Sequence, residues 1–177
     1  MTRLIALLSA IAAAAALRLV PHPPNFSPID AMALFSGAYV GRRLLAFAAP
    51  LAALMLSDLV IGFYPGMLFQ YGAVVVIVLL GMLALSRVTI LRLAATALVG
   101  SALFFAVSNF GVWAVSGMYT HTLAGLGACY LAAIPFFQNT VAGDLFYAAL
   151  LFGGFALAEH FVPRLRAWPK GSRVRPA

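Results

Sequence analysis

Long apolar runs alternate with short stretches rich in proline, glycine and arginine along most of the chain. An apolar run of about 20 residues is long enough to cross the hydrocarbon core of a bilayer as an α-helix, and proline and glycine mark the turns between such runs. The pattern therefore predicts an all-α polytopic membrane helix bundle with six transmembrane helices. Their expected positions are about 3–20, 28–41, 44–63, 67–85, 93–116 and 139–162.

Two parts of this pattern are irregular. The segment 21–28 reads PHPPNFSP, and its prolines remove backbone donors and exclude a continuous helix. The span that follows it is short for a full crossing. Residues 117–138 are rich in glycine and carry Pro135 near their end. We expect this stretch to be an outer-face or re-entrant segment, and a full crossing that gives seven spans is the alternative.

The composition supports a membrane protein. Of the 177 residues, 64% are hydrophobic and 8% are charged, and the mean hydropathy is +1.05. A soluble domain carries about a quarter charged residues. We expect a single transmembrane domain at 1–163, with the lipid bilayer as its surroundings, and a basic cytoplasmic tail at 164–177. Residues 1–17 resemble a signal peptide in their pattern, but we expect them to be retained as the first span.

The net charge of +7 does not indicate nucleic-acid binding, because nearly all of the basic residues lie between spans or in the tail. This placement follows the positive-inside rule, which orients membrane helices. We therefore expect both termini to be cytoplasmic in a multi-pass protein of the bacterial inner membrane. The residues concerned are Arg42, Arg43, Arg87, Arg92, Arg164, Arg166, Lys170, Arg173 and Arg175.

Three of the four acidic residues lie in or at the ends of apolar spans. A carboxylate inside the hydrocarbon costs at least a few kcal/mol, so it should face protein or water. In the six-span topology these acids and several other polar residues fall in the outer half of the membrane, where they would line an outward-facing pocket. The predicted substrate-binding residues are Asp58, Asn109, Trp113, Asp144, Asp30, Asn139, Tyr64 and His22.

Each of these residues also has a structural interpretation. Asp30 and Asp144 fit the role of caps at the starts of the second and sixth spans. Asp58 is too deep for a cap, and it fits either an ion pair with Arg18 or a place in the pocket wall. Asn109 fits hydrogen bonding between helices. The sequence leaves these alternatives open.

The sequence carries no pattern typical of catalysis or metal binding. It has no Walker A, GxSxG or HExxH pattern, and its few histidines and one cysteine do not form a metal signature. A carboxylate-pair enzyme would need Asp58 and Asp144 close together, which their spacing does not support. We therefore expect no enzymatic activity, no metal and no cofactor.

Small residues four apart offer surfaces for close helix packing, as at Ala12 and Ala16 or at Gly37 and Gly41. On a membrane helix such pairs let two backbones approach closely. The second helix can belong to the same bundle or to a partner protein, and the sequence alone does not decide between them.

The strings RLVPHPPNFSPIDAMALFSGAYVGRR, LSDLVIGFYPGM, SNFGVW and FFQNTVAGDLFYAALLFG, within about 18–155, resemble a family of small bacterial membrane proteins without an assigned activity. More distantly, the layout is similar to the S components of energy-coupling-factor vitamin transporters. That similarity implies binding and uptake of a small vitamin-like substrate, with an energising transporter module docked at Ala12 and Ala16. The alternative is a structural or assembly subunit that binds no ligand.

Overall fold

In the computed structural model, residues 2–41 and 43–166 are described. The helices are α1 (Thr2–Leu17), α2 (Ile29–Tyr39), α3 (Arg43–Ile61), α4 (Met67–Ala84), α5 (Ile90–Val115) and α6 (Leu123–Ala148). A π-helical turn, Ala149–Gly153, joins α6 to α7 (Gly154–Phe161), so that the two form one continuous rod of 39 residues. A short 3₁₀ turn, Pro163–Leu165, follows.

Four helical rods, namely α3, α4, α5 and α6–α7, are long and apolar enough to cross a membrane. Large apolar side chains such as Leu44, Leu83 and Leu123 are at least 80% exposed on the outside of the bundle, where lipid would cover them. The chain is therefore a multi-pass membrane protein, and its prediction as all-α is confirmed for the described residues. The 16 residues of α1 and the 11 of α2 are shorter, so the count of six crossings stays a prediction.

The short helix α2 lies at the centre of the bundle and is buried from Ile29 to Gly37. It packs against α1, α3, α4, α5 and α6. Its closest neighbour is α4, where a Cβ atom added to Gly37 would lie 2.2 Å from the carbonyl oxygen of Val78. A Cβ on Gly81 would lie 2.6 Å from the carbonyl oxygen of Leu34. The backbones of α2 and α4 are thus in direct contact, which only glycine permits at these positions.

The structure contradicts the expectation that residues 117–138 are re-entrant and that the last span begins at 139. A turn separates α5 from α6, and the helix expected to begin at 139 already begins at Leu123. Pro135 lies inside this helix, which is tolerated because neighbouring helices can compensate for one missing backbone hydrogen bond in a membrane helix. The segment is therefore neither re-entrant nor a seventh crossing, since it is the first half of the last long helix.

Both chain ends of the described structure lie at one end of the bundle. The Arg3 guanidinium forms an ion pair with Glu159 and donates to the carbonyl oxygen of Leu165. We call this the arginine end, because Arg87 and Arg164 also lie there, and we call the other the cavity end. Of the predicted tail, residues 164–166 pack back on the bundle, with Leu165 buried, and 167–177 lie outside the described residues.

Candidate functional site

A polar cavity of about 410 Å³ reaches from the cavity end to the middle of the bundle. Its wall combines side chains from α2, α3, α4, α5 and α6 with the segment between α1 and α2 and the loop between α3 and α4. The lining residues are Arg18, His22, Asn25, Ser27, Ile29, Asp30, Ile61, Tyr64, Gln70, Phe104, Ser108, Asn109, Val112, Thr140 and Asp144.

The proline-rich segment 21–28 forms one side of this cavity and is packed on α6. Asn139 Nδ2 donates to the carbonyl oxygen of Pro24 at 2.9 Å. A Cβ on Gly143 would lie 3.1 Å from the Cα of Phe26, so the segment touches the helix backbone itself. Irregular backbone is stable at membrane depth where protein covers it or where it lines a cavity. Because this segment fills the space above α2, that helix begins inside the bundle.

Two carboxylates form the deepest polar part of the cavity. Asp30, in the first turn of α2, is 3% exposed, and Asp144, in α6, is 2% exposed. Their carboxyl groups lie within interaction range of each other. Asp144 also accepts a hydrogen bond from Ser101 Oγ at 2.5 Å. Since Ser101 lies near the middle of α5, the pair lies near the middle of the bundle.

The capping role that the sequence offered for these two aspartates does not hold. Asp144 lies well inside α6, whose first residue is Leu123. The start of α2 has Pro28 at the N-cap and no side-chain capping hydrogen bond. Asp30 is close enough to feel the positive end of the α2 dipole, but no donor in the described residues contacts either of its oxygens.

Asp58 instead belongs to a closed ion pair beside the cavity. Its Oδ1 accepts from Arg18 Nη1 at 2.5 Å, and its Oδ2 accepts from the Tyr71 hydroxyl at 2.9 Å. Arg18 also donates to Ser57 Oγ. Asp58 is fully buried and is not part of the cavity wall. Of the two alternatives from the sequence, the structure has the pair with Arg18, whose side chain does line the cavity.

Three further predicted residues lie in the cavity wall. Asn109 Nδ2 donates to the Phe105 carbonyl one turn earlier, which leaves its Oδ1 available. The Nδ1 of His22 lies 2.9 Å from the Pro23 carbonyl oxygen, so Nδ1 is the donor there. Burial of the phenol, followed in size of effect by the nearby charge of Asp58, raises the pKa of Tyr64 above its ordinary value. The phenol therefore stays protonated at neutral pH and can donate a hydrogen bond.

The structure thus brings together five of the eight predicted site residues and places three elsewhere. Asp58 is held by Arg18, and Asn139 holds the segment 21–28. Trp113 Nε1 donates to the carbonyl of Thr120 at 3.0 Å and closes the turn between α5 and α6. Direct contact of any of the eight with a ligand stays a prediction.

Sequence reasoning missed several hydroxyl and amide groups of the site. Ser101 holds Asp144, and the cavity wall also contains Ser27, Gln70, Ser108 and Thr140. Gln70 carried a usable signal, because an amide is rare inside an apolar span. Serine and threonine carried none, since they commonly bond to the backbone of their own helix, as Ser108 does with Phe104.

The fold and the cavity place this protein in the class of helical multi-pass membrane proteins, and its bundle encloses a polar cavity of about 410 Å³. More specifically, the chain belongs to the family of unknown function DUF6580, whose profile matches residues 1–165. Comparisons with curated proteins and with solved structures find no match. The predicted membership of a family without an assigned activity agrees with this result. The comparisons do not support the similarity to S components, which stays a prediction.

Proposed function

We propose that this protein binds a small solute in the polar cavity and takes part in its uptake across the membrane. The observation that carries the proposal is the cavity itself. Its volume of about 410 Å³ falls within the range of small-molecule sites, and such sites combine apolar walls with a few convergent polar groups. Ionisable residues near the middle of a membrane bundle are costly and mark functional sites by default.

The proposal includes an orientation. Among the described arginines, all but Arg18 lie at the arginine end or in the loops that meet there. The positive-inside rule assigns that end to the cytoplasm, so that the cavity opens to the outside of a bacterial inner membrane. A solute would enter between the segment 21–28 and the loop that carries Tyr64.

Uptake against a gradient needs a source of energy, and the sequence has no nucleotide-binding pattern of its own. We therefore include a partner, an energising transporter module, in the proposal. Ala12 and Ala16 are exposed on α1, and they line an apolar groove of about 380 Å³ with Ala49 and Ala52 of α3. Small residues on an exposed membrane helix permit close approach of a second helix, which supports this surface as the docking position.

A steric block of the cavity tests the proposal. Ser108→Phe places a large ring in the cavity wall without changing charge, and Ser86→Phe makes the same change at an exposed position between α4 and α5. We expect mass spectrometry to find a small molecule retained by the gently purified wild type and by Ser86→Phe. We expect Ser108→Phe to lose it while it still unfolds cooperatively. A folded Ser108→Phe protein that retains the same molecule would refute binding in this cavity.

A structural or assembly subunit is the second candidate, and the exposed groove at Ala12 and Ala16 favours it. That function needs a protein partner and no solute. Native mass spectrometry separates the two candidates, because a stoichiometric protein partner without any retained small molecule supports the subunit. Neither candidate includes a catalytic step.

A further inference from the structure

The cavity contains two buried carboxyl groups, one of which lacks hydrogen-bond partners. Three buried side-chain atoms in the described residues have no hydrogen-bond partner, namely Ser27 Oγ and both carboxylate oxygens of Asp30. Both residues line the polar cavity. Buried polar atoms without partners are rare in native proteins, and each one calls for an explanation such as an ordered water or a bound ion. Because all three atoms belong to residues that line one cavity, a molecule bound there can supply the missing partners.

Neither Asp30 nor Asp144 forms an ion pair with a basic side chain of the described residues. The ion pairs in the described part of the chain are Arg3 with Glu159 and Arg18 with Asp58. Arg18 lies in the cavity wall, but Asp58 and Ser57 already engage it. His22 also lies there, and its Nδ1 donates to the Pro23 carbonyl oxygen. The start of α2 offers Asp30 the equivalent of about half a positive charge. Two adjacent buried carboxylates repel each other, and either a proton shared between them or a bound cation relieves that repulsion.

The donor set favours an organic cation over a divalent metal ion. Among the described residues, no group of three or more histidine, cysteine, aspartate or glutamate side chains could hold a metal ion, and calcium takes six to eight oxygen ligands. A protonated amine carries three N–H donors and no acceptor, which suits carboxylates and hydroxyl oxygens. Next to the pair the cavity also has apolar surface from Ile29 and Phe104, which suits a carbon skeleton.

We propose that Asp30 and Asp144 bind the protonated amine of an organic solute, whose apolar part occupies the rest of the cavity. Ser101 is a positioning residue, because its hydroxyl fixes the Asp144 carboxylate from the side of α5. This inference rests on the proposed solute-binding function and names the class of solute. It predicts that the cavity discriminates between an amine and a neutral compound of the same shape.

Two fluorinated probes test the discrimination. 4-Fluorobenzylamine is cationic at pH 7, and 4-fluorobenzyl alcohol has the same ring and a neutral oxygen. Titrations of the purified protein in detergent, followed by ¹⁹F NMR, measure saturable binding of each probe. We expect the amine to bind at least about tenfold more tightly than the alcohol, because hydrogen bonds between charged groups are stronger than hydrogen bonds to a neutral hydroxyl. Asp30→Asn should remove this preference, and Glu159→Gln at the arginine end should keep it.

A stability measurement separates binding from a structural role. If the pair serves a ligand, Asp30→Asn removes one of two mutually repelling carboxyl groups. The thermal unfolding temperature should then stay the same or rise while amine binding falls. A fall in that temperature with unchanged amine binding would overturn the inference. Equal binding of amine and alcohol, both blocked by Ser108→Phe, would overturn the cationic class but leave solute binding intact. If the amine does not bind at all, the inference that the cavity takes a cationic solute is also overturned.

Discussion

The contact between α2 and α4 gives the sharpest quantitative prediction, through the substitution Gly37→Ala. The added Cβ would lie 2.2 Å from the Val78 carbonyl oxygen, about 1.2 Å short of the 3.4 Å at which ordinary contact begins. The backbone nitrogen of Met82 would lie 3.0 Å away. Because the obstructing atoms are backbone rather than a flexible side chain, α2 and α4 must move apart by about an ångström.

Overpacking of this kind costs about 1–3 kcal/mol. The exchange of glycine for alanine inside a helix also contributes about 1 kcal/mol in favour of the helix, and a matched control cancels this gain. Gly72 lies within α4, and a Cβ added there would have no neighbouring atom within 4 Å, so Gly72→Ala should be neutral or stabilising. We expect Gly37→Ala to be about 1–3 kcal/mol less stable than Gly72→Ala.

Thermal unfolding in a mild detergent, followed by circular dichroism, measures the difference. For a chain of this size a change of 1 kcal/mol shifts the midpoint by about 2–4 °C. Gly81→Ala should behave like Gly37→Ala, because its Cβ would lie 2.6 Å from the Leu34 carbonyl oxygen in the same contact. If Gly37→Ala unfolds at or above the midpoint of Gly72→Ala, the two helices do not touch through their backbones.

Two further substitutions test the contacts around the cavity. Arg18→Met leaves Asp58 buried without its cation and should lower the free energy of unfolding by about 3–5 kcal/mol. The double variant with Asp58→Asn should lose less stability than Arg18→Met alone. Denaturant unfolding measures both losses, and additive losses would contradict the ion pair. Asn139→Ala removes the hydrogen bond to the carbonyl of Pro24 and should cost about 0.5–1.5 kcal/mol. It should also speed hydrogen exchange in 21–28, whereas the exposed Gln138→Ala should leave exchange there unchanged.

The sequence predicted the helical segments well where apolar runs end at charged or proline-containing turns. The ends of α4 and α5 lie within about three residues of their expected positions, because Pro65, Gly66 and Arg87 interrupt the apolar pattern. It failed at the start of α6, where glycines and Pro135 indicate a break that the structure does not have. Contacts with neighbouring helices override such local signals inside a membrane bundle, and a single sequence does not display those contacts.

The sequence predicted only part of the candidate site, because it indicates how deep a residue lies along its helix but not which way its side chain points. Depth along each helix follows from counting residues, so the grouping of Asp30, Tyr64 and Asn109 near one cavity could be anticipated. The direction of a side chain around its helix depends on which neighbours pack there. For this reason the sequence left two places open for Asp58, and it contained no sign that Ser101 contacts Asp144.

The short length of α2 links the fold to the site. A helix that crossed the whole membrane would carry its first residues to the surface, where Asp30 would be solvated and would need no partner. Here the segment 21–28 occupies the half of that path nearest the cavity end, packed on α6 through Asn139 and Gly143. The positive end of α2 and its unpartnered carboxylate therefore lie beside Asp144 at mid-depth. Since Gly37 holds the same helix against α4, the packing of α2 and the geometry of the cavity should change together.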